Sequence, residues 1–118
     1  MNYFFWTIAA FFFSSFMLQT TVVEKGKASF YSSKFEGRKT SSGEIFHQDS
    51  LTAAHKKLPF GTKVLVRNLK NDSTIIVRIN DRLSQKSGHL IDLTLKAAKR
   101  LNFVRDGIAN VTIEYKTK

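Results

Sequence analysis

The first charged side chain is Glu24, and the chain changes character there. Residues 1–23, MNYFFWTIAAFFFSSFMLQTTVV, contain no ionisable side chain, and their most apolar part runs from Tyr3 to Leu18. That length, about 16 residues, sits near the upper limit of a signal-peptide apolar region. It falls short of the roughly 20 residues of a membrane-spanning helix. The pattern predicts an apolar leader helix over 1–23, either a cleaved signal peptide or an N-terminal membrane anchor. From Glu24 onward the apolar positions come in short runs. Lys25–Tyr31 (KGKASFY) reads as a first strand, followed by a polar loop, SSKFEGRKTSSGE, with Gly37 and Gly43 as turn residues. Leu51–Ala54 is a short apolar piece. Lys63–Leu69 and Ser73–Ile79 flank Lys70-Asn71-Asp72 and predict a hairpin. Val64, Val66 and Asn68 share one face of its first strand; Ile75, Val77 and Ile79 share one face of its second, opposite Ile76 and Arg78. After the loop NDRLSQKSGH comes Leu90–Leu93. Thr94 is then the expected N-cap of a helix, LKAAKRLN, with Leu95, Ala98 and Leu101 facing inward. Gly107–Tyr115 closes the chain as a last strand that alternates Ile108, Val111, Ile113 and Tyr115 imperfectly. Many short strands with one small helix predict a mainly β fold, a compact barrel over residues 24–118.

Composition narrows the chemistry. The chain has 118 residues and a net charge of +10, with 19 Lys and Arg against 9 Asp and Glu, all after the leader. That length is a prior for one domain. Cys is absent, which excludes disulfides, Cys-ligated zinc, iron–sulfur clusters, thiol catalysis and a lipid-modified N-terminal cysteine. A chain without Cys is indifferent to an oxidising compartment. Both readings of the leader export the domain, to the periplasm, the cell envelope or the medium. His47, His55 and His89 lack paired-ligand spacing and no acidic cluster resembles a calcium loop, so neither a metal nor a cofactor is expected. Lys and Arg spread over nearly every element, without a basic helix or an aromatic stacking sheet, which argues against nucleic acid as a partner. An exported basic domain suits the anionic cell envelope better. Membrane contact is expected only through an uncleaved leader, and the domain is expected to be a monomer.

Several motifs carry candidate chemistry. They are G-x-x-T-x-x-G-E (Gly37 to Glu44), L-T-A-A-H-x-x-L-P-x-G-T (Leu51 to Thr62), the VRINDR run ending at Asn80-Asp81-Arg82, and I-D-L before the helix. By local pattern alone, Asp81 is either a partly desolvated strand-end carboxylate suited to hold a proton or a turn-capping Asp paired with Arg82. Glu44, after Gly43, is either aimed into a groove or a solvated loop acid. His55 is either a tuner of a carboxylate or a satisfied core histidine. His47 and His89 match none of these motifs and read as solvated.

In order and spacing these motifs resemble the rare lipoprotein A family, over roughly Gly26 to Glu114. The resemblance implies a six-stranded double-psi β-barrel and an endolytic peptidoglycan transglycosylase acting on glycan strands; more distantly, the barrel is similar to expansins and some cellulases. It assigns Asp81, Glu44 and His55 to the catalytic site. Asp81 would protonate the glycosidic oxygen, and the sugar's own 6-hydroxyl would then attack to give a 1,6-anhydro end. Asp81 or Glu44 would take that hydroxyl's proton, and His55 would tune a carboxylate. A general acid needs a raised pKa, which burial or a nearby Glu44 would supply for Asp81. Tyr31 is expected to stack on a sugar face, with Thr52, Asn80 and Arg82 binding hydroxyl or lactyl groups. The sequence departs from the pattern at Leu83-Ser84, where the family has Gly-Pro, and at Phe30-Tyr31-Ser32, where it has Trp-Tyr-Gly. The lipobox Cys is absent, and no C-terminal peptidoglycan-binding domain is expected. The alternative is a non-catalytic, expansin-like module that binds peptidoglycan or loosens the wall.

Overall fold

The computed structural model describes residues 19–117; the expected leader, as far as Leu18, lies outside them. The strands are β1 (Thr20–Phe30), β2 (Thr52–His55), β3 (Lys63–Asn68), β4 (Thr74–Arg82), β5 (Ile91–Leu93) and β6 (Ala109–Thr117), with one helix, α1 (Leu95–Arg100). They close into a barrel in the order β1-β5-β2-β4-β3-β6. The β1/β5 and β2/β4 pairs are parallel and the other pairs antiparallel. This is the six-stranded double-psi barrel that the motifs implied.

The β3–β4 hairpin forms as its alternation predicts. Val64 pairs with Val77 and Val66 with Ile75, placing both apolar rows in the barrel interior, while Ile76 stays exposed. Asn68 occupies an interior position, buried with both polar atoms of its amide partnered. Its Nδ2 donates to the Leu101 carbonyl at 2.8 Å, and its Oδ1 accepts the Lys70 N–H at 3.0 Å. The hairpin turn is thereby fastened to the end of α1. Thr94 caps that helix as expected, its Oγ1 accepting the Ala97 N–H.

Three elements differ from their expected form. β1 begins at Thr20, upstream of Lys25, and pairs with β6 from Thr20↔Thr117 onward. Residues 20–23 look like leader because they lack charge, yet they are barrel strand. In α1 the buried positions are Ala97 and Ala98, with Leu101 just beyond, and Leu95 is only half-buried. In β6 the interior phase runs Ala109, Val111, Ile113, Tyr115, which leaves Ile108 exposed. A period of two counted back from Val111 lands on Ala109; the larger Ile108 had suggested the wrong phase. Gly26 is required by close approach, since a Cβ there would lie 2.7 Å from the Leu90 Cβ.

His55, at the end of β2, pins the turn that leads to β3. Its Nδ1 accepts the backbone N–H groups of Lys57 and Leu58, at 3.0 and 3.1 Å. The proton of the neutral ring therefore sits on Nε2, 3.8 Å from Glu24 Oε2. Burial pushes the His55 pKa down; the Glu24 carboxylate opposes this, and the Arg82 and Lys57 charges reinforce it. The unfolded chain thus binds this proton more readily than the folded one. The stability contribution is fully present above the ordinary histidine value, about 6.5, and is lost as pH falls through the depressed folded value. Denaturant midpoints should accordingly drop between about pH 7 and pH 5. A His55→Phe variant should be less stable at neutral pH by about 1–3 kcal/mol, because a buried N–H loses its acceptor. Its midpoint should also depend less on pH over that interval; an unchanged slope would remove His55 as the titrating group.

Candidate functional site

The C-terminal end of β4 carries Asp81, and the loop between β1 and β2 folds over it. Three donors converge on the carboxylate. The Tyr31 hydroxyl donates to Oδ2 at 2.6 Å, and the Ser41 and Arg82 backbone N–H groups each donate to Oδ1 at 2.9 Å. Burial raises the Asp81 pKa, but the bonds from Tyr31, Ser41 and Arg82 outweigh it, and the net direction is downward. The expected upward shift is therefore corrected: Asp81 rests ionised. Strand-end burial was visible in the sequence, whereas two of the three donors, Ser41 and Tyr31, come from forty and fifty residues away. Tyr31 packs edge-on against Phe35 and tilted against Phe46, with ring centroids 5.8 and 4.3 Å away. Its hydroxyl pKa is driven well up, by burial first, then by the Asp81 hydrogen bond and charge, and finally by the Asp92 charge.

Glu44 lies beside the same strand end. Arg78 grips it as a fork, Nη1 to Oε1 at 2.6 Å and Nη2 to Oε2 at 2.9 Å, and Asn80 Nδ2 reaches Oε2 at 3.2 Å. The Arg78 bond, followed by the Asn80 bond, holds the Glu44 pKa low. Gly43, at φ 93°, makes the turn that brings Glu44 back, a left-handed backbone that favours glycine. The Glu44 carbonyl accepts the Thr40 N–H at 2.8 Å, and Ser42 N–H reaches the Asn80 carbonyl at 3.2 Å. Glu44 thus braces the turn whose Ser41 N–H binds Asp81.

The remaining predicted residues divide. Asn80 is buried, with its Oδ1 unpartnered among the described residues. Arg82 lies over the Phe60 ring at 4.2 Å and donates to the His55 carbonyl at 3.3 Å. Thr52 is buried within β2. The carboxylate nearest the His55 ring is Glu24, rather than either acid of the site, and Glu24 also accepts from the Tyr115 hydroxyl. His55 touches the Asp81 strand through its main chain, accepting Leu83 N–H at 3.4 Å.

The sequence reading gave no role to Asp92, the acid of I-D-L. Strand register places Ser29 opposite Asp92, Asp92 opposite Ala54, and Ala54 opposite Asp81. Paired residues project from the same face of a sheet, so the two carboxylates flank Ala54 across two inter-strand steps. At about 4.8 Å per step, their backbones stand roughly 9.6 Å apart. The Ser29 hydroxyl donates to Asp92 Oδ1 and lies 2.9 Å from His89 Nδ1. His89 is therefore engaged with the site, contrary to the expectation that it is simply solvated. The available signal was the alternation of β5, which buries Ile91 and Leu93 and leaves Asp92 facing the other way.

A sequence model of the lytic transglycolase family matches residues 23–113. The chain is 46% identical over 92 residues to a probable endolytic peptidoglycan transglycosylase RlpA of Synechocystis sp., covering 78% of this chain and 29% of that protein. It is 48% identical over 89 residues to the endolytic peptidoglycan transglycosylase RlpA of Pasteurella multocida, covering 75% and 30%. The chain thus spans under a third of the length of these curated relatives. Among solved structures, a Streptomyces papain inhibitor superposes with a TM-score of 0.64 at 21% identity, over 82% of this chain and 96% of that one. An expansin of Clavibacter michiganensis, in complex with cellohexaose, gives 0.64 at 18% identity, over 82% and 51%. These two likenesses concern the fold alone. The extent of the sequence match, over nearly the whole barrel and at close to half identity, establishes that this chain belongs to the lytic transglycolase double-psi β-barrel family.

Proposed function

We propose that the domain cleaves peptidoglycan glycan strands without consuming water, leaving 1,6-anhydro ends. The observation that carries this reading is Asp81, a half-buried carboxylate at a strand end with a phenol hydroxyl 2.6 Å away. Its relatives named as endolytic peptidoglycan transglycosylases support it. In this mechanism Asp81, protonated in the substrate complex, gives its proton to the glycosidic oxygen as that bond breaks. The 6-hydroxyl of the same sugar then closes on the anomeric carbon. A bound glycan excludes water from Asp81 and strengthens the burial effect, which already acts upward on its pKa. Glu44 and Arg78 keep the Ser41 turn in place, and His55 holds the strand end. The exposed Phe60 ring, backed by Arg82, offers an apolar face for a sugar. The apolar leader takes the domain out of the cytoplasm, into the periplasm, the cell envelope or the medium.

A second reading rests on the resting charge of Asp81. A carboxylate held ionised by three donors is also suited to accept hydrogen bonds from sugar hydroxyls, as a non-catalytic module that binds or loosens the wall would require. Mass spectrometry of treated sacculi separates the two. Asp81→Asn should leave sacculus binding intact while anhydro-end formation falls about 10²–10⁴-fold. Wild-type protein that binds sacculi and forms no anhydro ends would leave the binding module standing.

The Tyr31 bond predicts a pH effect with a definite sign. That bond lowers the Asp81 pKa, so removing it raises the pKa and keeps the acid protonated to higher pH. In Tyr31→Phe the descending limb of kcat/KM, which reports groups of the free enzyme, should move to higher pH than in wild type. A limb that stays in place or moves down would remove Asp81 as the acid.

The position of β1 constrains processing of the leader. Cleavage after Val23 would strip four paired residues from the β1–β6 ladder, Thr20 to Val23. Intact-mass measurement of protein recovered from the envelope should therefore show an N-terminus at Thr20 or upstream. A mature chain starting at Glu24 would contradict this.

A further inference from the structure

The outward face of the sheet formed by β1, β6, β3 and β4 plays no part in the mechanism above. Strand register lines up Val23, Glu114, Leu65 and Ile76 across it, each residue paired with the next. They alternate with the interior rows, so their side chains point away from the core. Val23 is 60% and Ile76 57% exposed, and Leu65 is half-buried. A groove of about 950 Å³ runs along this face, lined by Leu65, Ile76, Lys63 and Lys116 and, at the start of β1, by Gln19 and Thr21. We infer that this face rests on the surface of an anionic lipid bilayer, the one that an uncleaved leader enters. The docking is independent of the transglycosylase reading and goes beyond it.

The charges around the apolar strip select the partner. On one side the next outward row holds Lys25 and Arg67, both paired with Thr112. On the other side Lys116 pairs with Thr21 and Lys63 pairs with Arg78. Arg78 is tied to Glu44, whereas Lys25, Lys63, Arg67 and Lys116 have no ion-pair partner among the described residues. Four unpaired cations thus stand against the single carboxylate of Glu114. An apolar strip flanked by cations fits a bilayer interface, where acyl chains receive the apolar groups and lipid phosphates meet the cations. An anionic polysaccharide offers the charge but no apolar layer for Val23 and Ile76. A second copy of this chain meeting the same patch would bring the cationic rows toward one another, and like charges oppose that contact.

Chain length brings the face to the bilayer. The apolar run of the leader ends at Leu18, and the next residue, Gln19, already lines the groove. Three residues take the chain from Leu18 to Thr21, a reach of about 10 Å at most. A leader held in the bilayer therefore leaves the start of this face close to one Debye length, about 8 Å at physiological salt, from the headgroups. At that range each lysine or arginine favours the anionic surface by about fivefold. Asp81 lies five residues beyond Ile76 along β4, roughly 16 Å away. A barrel resting on the Val23–Ile76 strip keeps that strand end beyond the contact, where a glycan can reach it.

The test uses the full chain, leader included, reconstituted into vesicles of phosphatidylglycerol or of phosphatidylcholine that carry a quencher on their acyl chains. The chain has no cysteine, so Ile76→Cys takes a single fluorescent label, and Val104→Cys, exposed in the turn after α1, takes the reference label. Trp6, the single tryptophan, lies in the leader and reports its insertion separately. With Trp6 quenched in both lipids, the label at position 76 should be quenched severalfold more than the label at 104 in phosphatidylglycerol, and no more than it in phosphatidylcholine. Lys63→Gln combined with Lys116→Gln should lower the ratio of docked to free barrel by about 25-fold, with Trp6 quenching and the denaturant midpoint unchanged. Equal quenching at 76 and 104 in phosphatidylglycerol would overturn the docking. So would quenching at 76 that is the same in both lipids or that survives the double substitution. A label shielded by added sacculi and untouched by lipid would assign the face to the wall polymer instead. A Trp6 that neither vesicle quenches would remove the anchored leader and the docking with it.

Discussion

Strand β2 is four residues long, buried at every position, and hydrogen-bonded to β4 on one side and β5 on the other. A strand with no polar face belongs inside a sheet with both surfaces covered, and its register decides which residues meet at the barrel mouth. Ala54 faces both Asp81 and Asp92. A slip by one residue would send every β2 side chain to the opposite face and put His55 where Ala54 stands. The register shift between Ala53 and Ala54 falls at this point, where the β2–β4 pairing passes from Ile79 to Asp81. Asn80, the residue skipped, is the one that turns to Glu44.

The site is built to hold negative charge. Asp81 has three donors and Glu44 has an arginine fork. In the proposed mechanism such preorganised donors cost no rearrangement when charge appears on Asp81, and they stabilise the state left after proton donation. Burial works in the opposite sense on the same carboxylate. The acidity of Asp81 is then set by two opposing effects, burial on one side and the Tyr31, Ser41 and Arg82 bonds on the other. This explains why Tyr31 is held so firmly between Phe35 and Phe46: a hydroxyl free to swing would let the balance drift.

The elements that rest on periodicity were legible. Hairpin faces, the Thr94 cap and the closing strand follow from alternation and capping chemistry, and their small errors fall where a large side chain sits next to a small buried one, as at Ile108 and Ala109. The start of β1 was hidden because Thr20–Val23 pair through their backbones, and backbone pairing leaves no mark in side-chain charge. The motifs singled out Asp81 and Glu44, and the fold brings both to the same strand end. The direction of the Asp81 pKa was not legible, since Tyr31 and Ser41 reach it only through long-range closure. Asp92, Ser29 and His89 meet because β1 and β5 pair in parallel, a juxtaposition that no local spacing encodes.

A net charge of +10 on so small a chain acts on this site in two ways that separate by range. In the proposed function the general positive field draws an anionic wall polymer toward the barrel and raises the encounter rate. The same field favours ionised carboxylates, which opposes loading Asp81 with a proton. Salt distinguishes them. At physiological ionic strength a charge more than about 8 Å away across solvent is largely screened, whereas the Tyr31 hydroxyl at 2.6 Å from Asp81 is a direct, part-buried bond. On that proposal encounter with the wall belongs to the dispersed lysines and arginines, and the protonation state of Asp81 belongs to its bonded neighbours. The two can change independently: surface basic residues can be lost without altering the chemistry at Asp81, and a change at Tyr31 alters that chemistry without weakening the attraction.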